Sequence, residues 1–227
     1  MHDVMLSPER ARFNRVVVGT LDSVQIKATR HWLAAINSAL ALALGLAILA
    51  PLLMAIGQPE LARPIYWIYQ AVCHQWPFRS FFLFGADSTY GAEQLAATVG
   101  TDHAWDFVGG PDLGYKMAFC ERDFAIVAAG LLMGLLYTRL RRRLAPPHLA
   151  LFFGLLLPIV FDGLTQLVGL RESTWEFRVA TGALAGAAAV WLIFPYLQIL
   201  AERWLAAAAW ANPAGPRSHQ PGPIAHN

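Results

Sequence analysis

Long apolar runs separated by short polar stretches set the pattern of this chain. Trp32 to Ile56 carries no charged residue and predicts a helix of about 25 residues, enough to cross a bilayer with some tilt. Trp32 is placed as an interfacial anchor, and Pro51 is expected to kink the last turns. A second run, Met117 to Leu140, opens with Cys120, Glu121, Arg122 and Asp123 and closes on Arg139, Arg141, Arg142 and Arg143. A third spans His148 to Leu170 with Pro158 inside it, and a fourth runs from Phe177 to Leu200. Between the first and second runs lie two shorter apolar patches, Ile65 to Trp76 after Pro64 and Phe78 to Phe84 after Pro77. Neither reaches the roughly 17 residues a crossing needs, so both predict re-entrant or interfacial helices. Gly85 to Gly114 is polar and acidic, with a turn expected at Gly109, Gly110 and Pro111. The pattern predicts an all-α, polytopic membrane helix bundle with four spanning helices and short re-entrant or interfacial helices.

Residues 1–31 form an amino-terminal segment in which Val16 to Ile26 fits a surface-lying helix. The membrane domain is expected over 32–203, with an outer loop at 57–116. A carboxy-terminal segment, 204–227, turns rich in Pro and Gly from Asn212 and is expected to be disordered. Gly130/Gly134 and Gly182/Gly186 are small residues four apart, a spacing that lets helix backbones approach closely in lipid.

Composition sharpens the class. Apolar residues make up 56% of the chain and charged residues 14%, against roughly 25% charged in average soluble domains. A net charge of +2, with no basic stripe interleaved with aromatics, gives no support to nucleic-acid binding. Two cysteines cannot form a disulfide scaffold. The first apolar run is too long for a signal-peptide core and is expected to stay as an anchor.

Orientation follows the basic residues in short loops. The Arg139–Arg143 connection predicts the cytoplasmic side, and the five basic residues Arg10, Arg12, Arg15, Lys27 and Arg30 ahead of the first span agree with it. Both termini are then cytoplasmic, and the acidic loop lies outside.

The candidate chemistry collects at the outer level. Asp162 sits inside an apolar run, where a carboxylate is costly and normally faces a bundle interior or wet cavity. Thr165 and Gln166 share its helical face. Asp162 is a candidate catalytic base or ligand. Arg79, Arg122, Arg171 and Arg178, with Gln166, are candidate binding residues for an anion, because guanidinium forks match phosphate and carboxylate. The competing reading pairs these arginines with Asp162, Glu121 or Glu172, or places them at lipid headgroups. Cys73, His74, Cys120 and Asp123 form a candidate metal set, with zinc suited to mixed S, N and O ligands. Adjacent Cys and His can ligate together only on irregular backbone, which Pro77 makes credible. The alternative is a Cys73–Cys120 disulfide on the oxidising side. No CxxC or CxxCH occurs, which weighs against thiol oxidoreductases and covalent haem.

The compound pattern Cys73-His74-Gln75-x-Pro77-x-Arg79-Ser80-Phe81, Cys120-x-Arg122, Asp162-Gly163-x-Thr165-Gln166, Arg171-x-Ser173 and Arg178-x-x-Thr181-Gly182 resembles an uncharacterised family of bacterial and archaeal membrane proteins, a domain of unknown function. The resemblance covers about residues 65 to 190. It implies a multi-pass protein of a bacterial or archaeal plasma membrane, and no reaction. Many relatives read Cys-x-Arg-Cys where this chain has Cys120-Glu121-Arg122-Asp123; an aspartate there is a harder, oxygen ligand.

Three functions of different classes fit. One is a metal-assisted enzyme or binding protein whose outward-facing pocket takes an anionic amphiphile, lipid or small molecule. Another is a small transporter or lipid-handling protein, against which stands the lack of an evident inverted repeat. The third is a structural subunit of a membrane complex, with the polar cluster as internal glue.

Overall fold

The computed structural model describes residues 8–101, 106–141 and 143–211. Helix α1 runs Pro8–Ala55, α2 Pro59–Gln70, α3 Ala92–Val99, α4 Glu121–Leu140, α5 Leu149–Leu167 and α6 Trp175–Ala211. Four of them are long and apolar enough to cross a membrane, over Val24–Ala55, Glu121–Leu140, Leu149–Leu167 and Trp175–Ala208. The fold is therefore the helical, four-span protein that the apolar runs predict. Its chain forms two compact units. One combines residues 1–32 with 196–227; its described part is helical, with Gln198 Nε2 donating to Glu202 Oε1 at 2.7 Å within α6. The other, Leu33–Pro195, holds every candidate site residue.

Within the larger unit, α1 and α2 form a hairpin. Gly57 takes a left-handed φ of +74° at the turn, where glycine alone is unstrained. Tyr69, at the far end of α2, donates to the Ala43 carbonyl at 2.5 Å, so α2 folds back along the last turns of α1. Ala47, Ala50, Ala62, Tyr66, Tyr69 and Cys73 make a buried core with Ala118 and Phe119 of the segment ahead of α4. The alanines let the helices approach, and the tyrosine rings fill the remaining space. Away from this core Trp67 of α2 is more than 70% exposed.

The connection to α4 contains the main departure from the sequence reading. Phe78 to Phe84 is no helix. A single 3-10 turn, Pro77–Arg79, leads into strand β1, Ser80–Leu83. Strand β2 is Gly109–Gly110 and β3 is Gly114–Cys120, and the three form an antiparallel sheet in the order β1-β3-β2. The reason lies in pairing between distant segments: Ser80 sits opposite Cys120 and Phe82 opposite Lys116. Aromatic residues favour such a half-buried, pleated surface, but no local pattern announces the partner strand. Phe82, Tyr90 and Leu95 bury a small second core beneath it.

Boundaries shift accordingly. The second span begins at Glu121, not Met117, because Met117–Cys120 belongs to β3. Helix α2 begins at Pro59, five residues before Pro64, with Pro59 at its first turn, where a missing N–H costs nothing. α6 continues to Ala211, past residue 203, where the sequence reading ends the membrane domain. The disorder expected from Asn212 onward lies outside the described residues.

The α4–α6 crossing uses both glycine pairs. Gly130 lies against Val190 and Gly186, and Gly186 lies on the backbone of Ile126. Matching positions increase together along both helices, so α4 and α6 run parallel. On α1, Asn37 Nδ2 donates to Thr138 Oγ1 of α4 at 3.2 Å. Helix α5 differs from its neighbours. It is apolar nearly all round, and its single buried residue is Asp162. A helix apolar on every side is what a lipid-facing span requires.

Candidate functional site

Two polar centres form near the end of the unit where α4 begins. The first is built on Asp162, which has no exposed surface. Arg122, in the first turn of α4, donates from Nη2 to Asp162 Oδ2. Arg171, in the α5–α6 connection, donates from Nη2 to Oδ1 at 2.7 Å. Gln166 Nε2, one turn along α5, reaches both Asp162 Oδ2 and the Asp162 carbonyl at 3.0 Å. The carboxylate is thus held from three segments. The arrangement answers the cost of burying a charge, because each oxygen meets a charged donor.

The other arginines are engaged as well. Arg178 Nε donates to Glu121 Oε2 at 2.5 Å, and its Nη1 donates to the Ser173 carbonyl. Glu121 is 1% exposed and Arg178 7%, so this is a second buried pair, joining α4 to α6. Arg79 reaches the exposed Glu172 at 3.4 Å and stacks over Trp76 at 4.7 Å. Arg171 also lies over Phe177 at 5.0 Å. All four candidate anion-binding arginines are therefore ion-paired with carboxylates of the chain itself. What stays open among these described residues is small: Arg79 Nε, Arg122 Nε and Gln166 Oε1 are buried without a hydrogen-bond partner.

The second centre joins the two cysteines. Cys73 follows α2, and Cys120 ends β3 and caps α4. The cap is unusual, since Cys120 Sγ takes the place of a Ser or Asp oxygen and accepts from Asp123 N–H at 3.5 Å. Cys120 Sγ donates in turn to Asp123 Oδ2 at 3.1 Å, and Cys120 N–H donates to Cys73 Sγ at 3.3 Å. The ligand atoms of Cys73, Cys120 and Asp123 all lie within 4.8 Å of one another. Both cysteines are free thiols.

His74 stays outside this cluster. It is exposed, with its ring tilted against Trp76 at a centroid distance of 5.7 Å. Gln75, next in line, has a left-handed φ of +53°, so the backbone is irregular there, as Pro77 led us to expect. That irregularity buries Cys73 and Gln75 and leaves His74 facing away.

Electrostatics separate the two thiols. Cys73 is held below the usual thiol range, chiefly by the neighbouring Cys120 thiol. Cys120 is pushed up by the Cys73 thiol and by burial. Lys116, 3% exposed on β3, is pushed down to about 8 by burial. Its Nζ donates to the Gln75 carbonyl at 2.7 Å. Gln75 Nε2 donates to the Tyr66 carbonyl at 2.8 Å, and Tyr66 OH donates to the Lys116 carbonyl at 2.5 Å, which closes the ring. Sequence reasoning missed Lys116 and Tyr66. The available signal was a lone lysine in the otherwise uncharged stretch from Leu113 to Cys120.

Beside the cysteine centre is an open cleft of about 570 Å³ between α1, α2 and α4. Leu46 and Ala43 of α1, Ile68 of α2, Val72 just after it, and Ile126 of α4 are among its walls. Asp123 is its one charged lining residue.

Comparison with known proteins agrees with this architecture. Residues 113–192 match the family model described as predicted membrane protein, DUF2085. An uncharacterised protein of Methanocaldococcus jannaschii is 34% identical over 134 residues, which cover 58% of this chain and 67% of that protein. No solved structure matches. The matched segment carries the Cys120-x-Arg122 cap, the buried Asp162 and the parallel α4–α6 crossing, and the chain belongs to the DUF2085 family of predicted membrane proteins.

Proposed function

We propose that this protein is a multi-pass plasma-membrane protein whose outer side carries a metal centre, and that it acts as a metal-assisted enzyme or binding protein on an amphiphile. The observation that carries the reading is the convergence of Cys73, Cys120 and Asp123, from segments 47 residues apart, to within 4.8 Å. Two thiolates and a carboxylate suit zinc, and three protein ligands leave a fourth position for water or substrate. A tetrahedral zinc with Zn–S bonds of about 2.3 Å holds its ligand atoms about 3.5–3.8 Å apart, so Cys120 Sγ and Asp123 Oδ2, at 3.1 Å, would open slightly, and the pairs that stand up to 4.8 Å apart would close. The ion-paired arginines give no support to a free anion clamp, so the Asp162 and Glu121 networks are read as the frame that holds the helices in register.

Protein purified without chelator should contain about one metal ion per chain, with thiols that alkylate only after chelation. Metal should be lost in acid, since the ligands bind deprotonated. Metal-free protein with two thiols that react only after reduction would replace the metal with a Cys73–Cys120 disulfide, the reading that the same proximity also favours.

The proposed orientation places both termini and the Arg139–Arg143 connection in the cytoplasm, on the positive-inside rule. Glu93 and Arg141 are both exposed. Single cysteines at these positions, in a chain lacking Cys73 and Cys120, should behave oppositely toward an impermeant maleimide in intact cells. Position 93 should label and position 141 should not; labelling of both from outside would rule the orientation out.

A further inference from the structure

We infer that the cleft between α1, α2 and α4 holds one hydrocarbon chain of a membrane amphiphile, with a hydrogen-bond-donating head, an alcohol or an amine, seated at Asp123. The inference deepens the proposed function by naming the ligand class, and it rests on that reading's placement of these helices in lipid.

The cleft has the size and lining for this occupant. Its volume of about 570 Å³ falls inside the roughly 300–1,000 Å³ usual for small-ligand sites. Along α1 it runs from Ala39 to Leu46, about 10 Å at 1.5 Å per residue. Its walls are side chains such as Leu42 and Val72, 63% and 72% exposed, which a hydrocarbon would cover and water would not. Tyr69, the one lining hydroxyl, is already spent on the Ala43 carbonyl and leaves that wall effectively apolar.

The polar end decides the head group. Asp123 lies in the first turn of α4, at the end of a membrane span, where a lipid head would sit. Its Oδ2 accepts from Cys120, and it is the one charged side chain that lines the cleft. A carboxylate has lone pairs on both oxygens, so beyond its thiol contact it accepts from a hydroxyl or ammonium and repels a carboxylate or phosphate. The arginines that would reverse this are paired elsewhere, Arg122 with Asp162 and Arg178 with Glu121, and a divalent ion held by two thiolates and the Asp123 carboxylate would leave the cluster at a net charge of about −1. Asp123 thus belongs both to the cysteine centre and to the cleft, so a chain lying in the cleft brings its head beside the Cys73, Cys120 and Asp123 cluster.

The test uses the full chain, delipidated in detergent and titrated with three probes of equal length: hexadecanol, hexadecylamine and palmitate. Native mass spectrometry reads the bound stoichiometry, and elemental analysis of the same samples reads metal. Hexadecanol and hexadecylamine should bind one per chain, at least tenfold tighter than palmitate. Ala43→Phe fills the apolar part of the cleft and should weaken both by at least tenfold while metal content is unchanged. Ala39→Phe, one turn away, is the second blocking variant should the first not fold. Equal binding of all three probes means annular lipid only and overturns the inference, as does undiminished binding to the folded blocking variants. Head-selective chain binding by a metal-free protein would uphold the inference and sink the metal centre alone.

Discussion

Asp162→Asn should release α5 from the rest of the bundle. Asp162 is the only buried residue of that helix, and its carboxylate takes a charged donor on each oxygen. The substitution keeps shape and removes charge, which leaves two guanidiniums facing a neutral amide. Removing one partner of a buried ion pair costs about 3–5 kcal/mol. Arg122 and Arg171 side chains are 22% and 36% exposed, so both can partly reach water, and the lower part of that range is expected. In detergent this should appear as a thermal midpoint lower by about 10 °C, at about 2–4 °C per kcal/mol for a chain of this size. The two arginines are not equivalent. Arg171→Gln alone should be mild, because Arg122 and Gln166 still satisfy Asp162. Arg122→Gln added to Asp162→Asn should recover much of the loss, because it removes the less exposed of the stranded charges. A fully stable Asp162→Asn, with no recovery to measure, would show that lipid packing and not the ion pairs holds α5.

Gly186→Ala should be nearly as damaging, and for a different reason. A Cβ at Gly186 would run into the backbone carbonyl of Ile126 on α4, and its distance to the Ile126 carbonyl carbon would be 2.8 Å. Backbone cannot rotate out of the way as a side chain can, so α4 and α6 must separate. Overpacking of this kind costs about 1–3 kcal/mol, occasionally more. Separation would also stretch the Arg178–Glu121 pair that spans the same crossing. The other glycines grade the effect. Gly182→Ala would bring a Cβ to 2.7 Å from the Arg122 carbonyl oxygen and should be intermediate. Gly130→Ala meets Val190 Cγ2 at 3.6 Å, an ordinary contact, and should be tolerated. Gly154→Ala on α5 meets nothing within 4 Å and should be neutral or slightly stabilising, since alanine is the better helix former. Thermal midpoints of the four variants should fall in that order, and equal midpoints for Gly186→Ala and Gly130→Ala would refute the close crossing.

These expectations mark where the sequence could be read and where it could not. The four spans follow from local composition, because a helix in lipid needs little more than length and apolarity. Asp162 could be singled out for the same reason: a carboxylate in an apolar run has no inexpensive place except a paired interior site. The glycine pairs were legible as close-packing positions, but which of them is crowded was not. Gly130 and Gly186 look alike in sequence and differ only in what lies across from them. The sheet was missed because β1 and β3 are segments tens of residues apart, and their register is a property of the pair.

The sequence by itself determined that this chain is a membrane protein with four apolar helices, and it named the residues whose chemistry has to be accounted for. Its tertiary structure decided which of those residues meet. It turned four candidate anion-binding arginines into partners of Asp162, Glu121 and Glu172. It set Cys73 beside Cys120 and Asp123 and turned His74 away, although His74 is adjacent in sequence and Cys120 is 47 residues off. The reason is physical. Hydropathy is summed along the chain and is written locally, whereas a charge in a low-dielectric interior is satisfied by whichever partner the packing brings within a few ångströms.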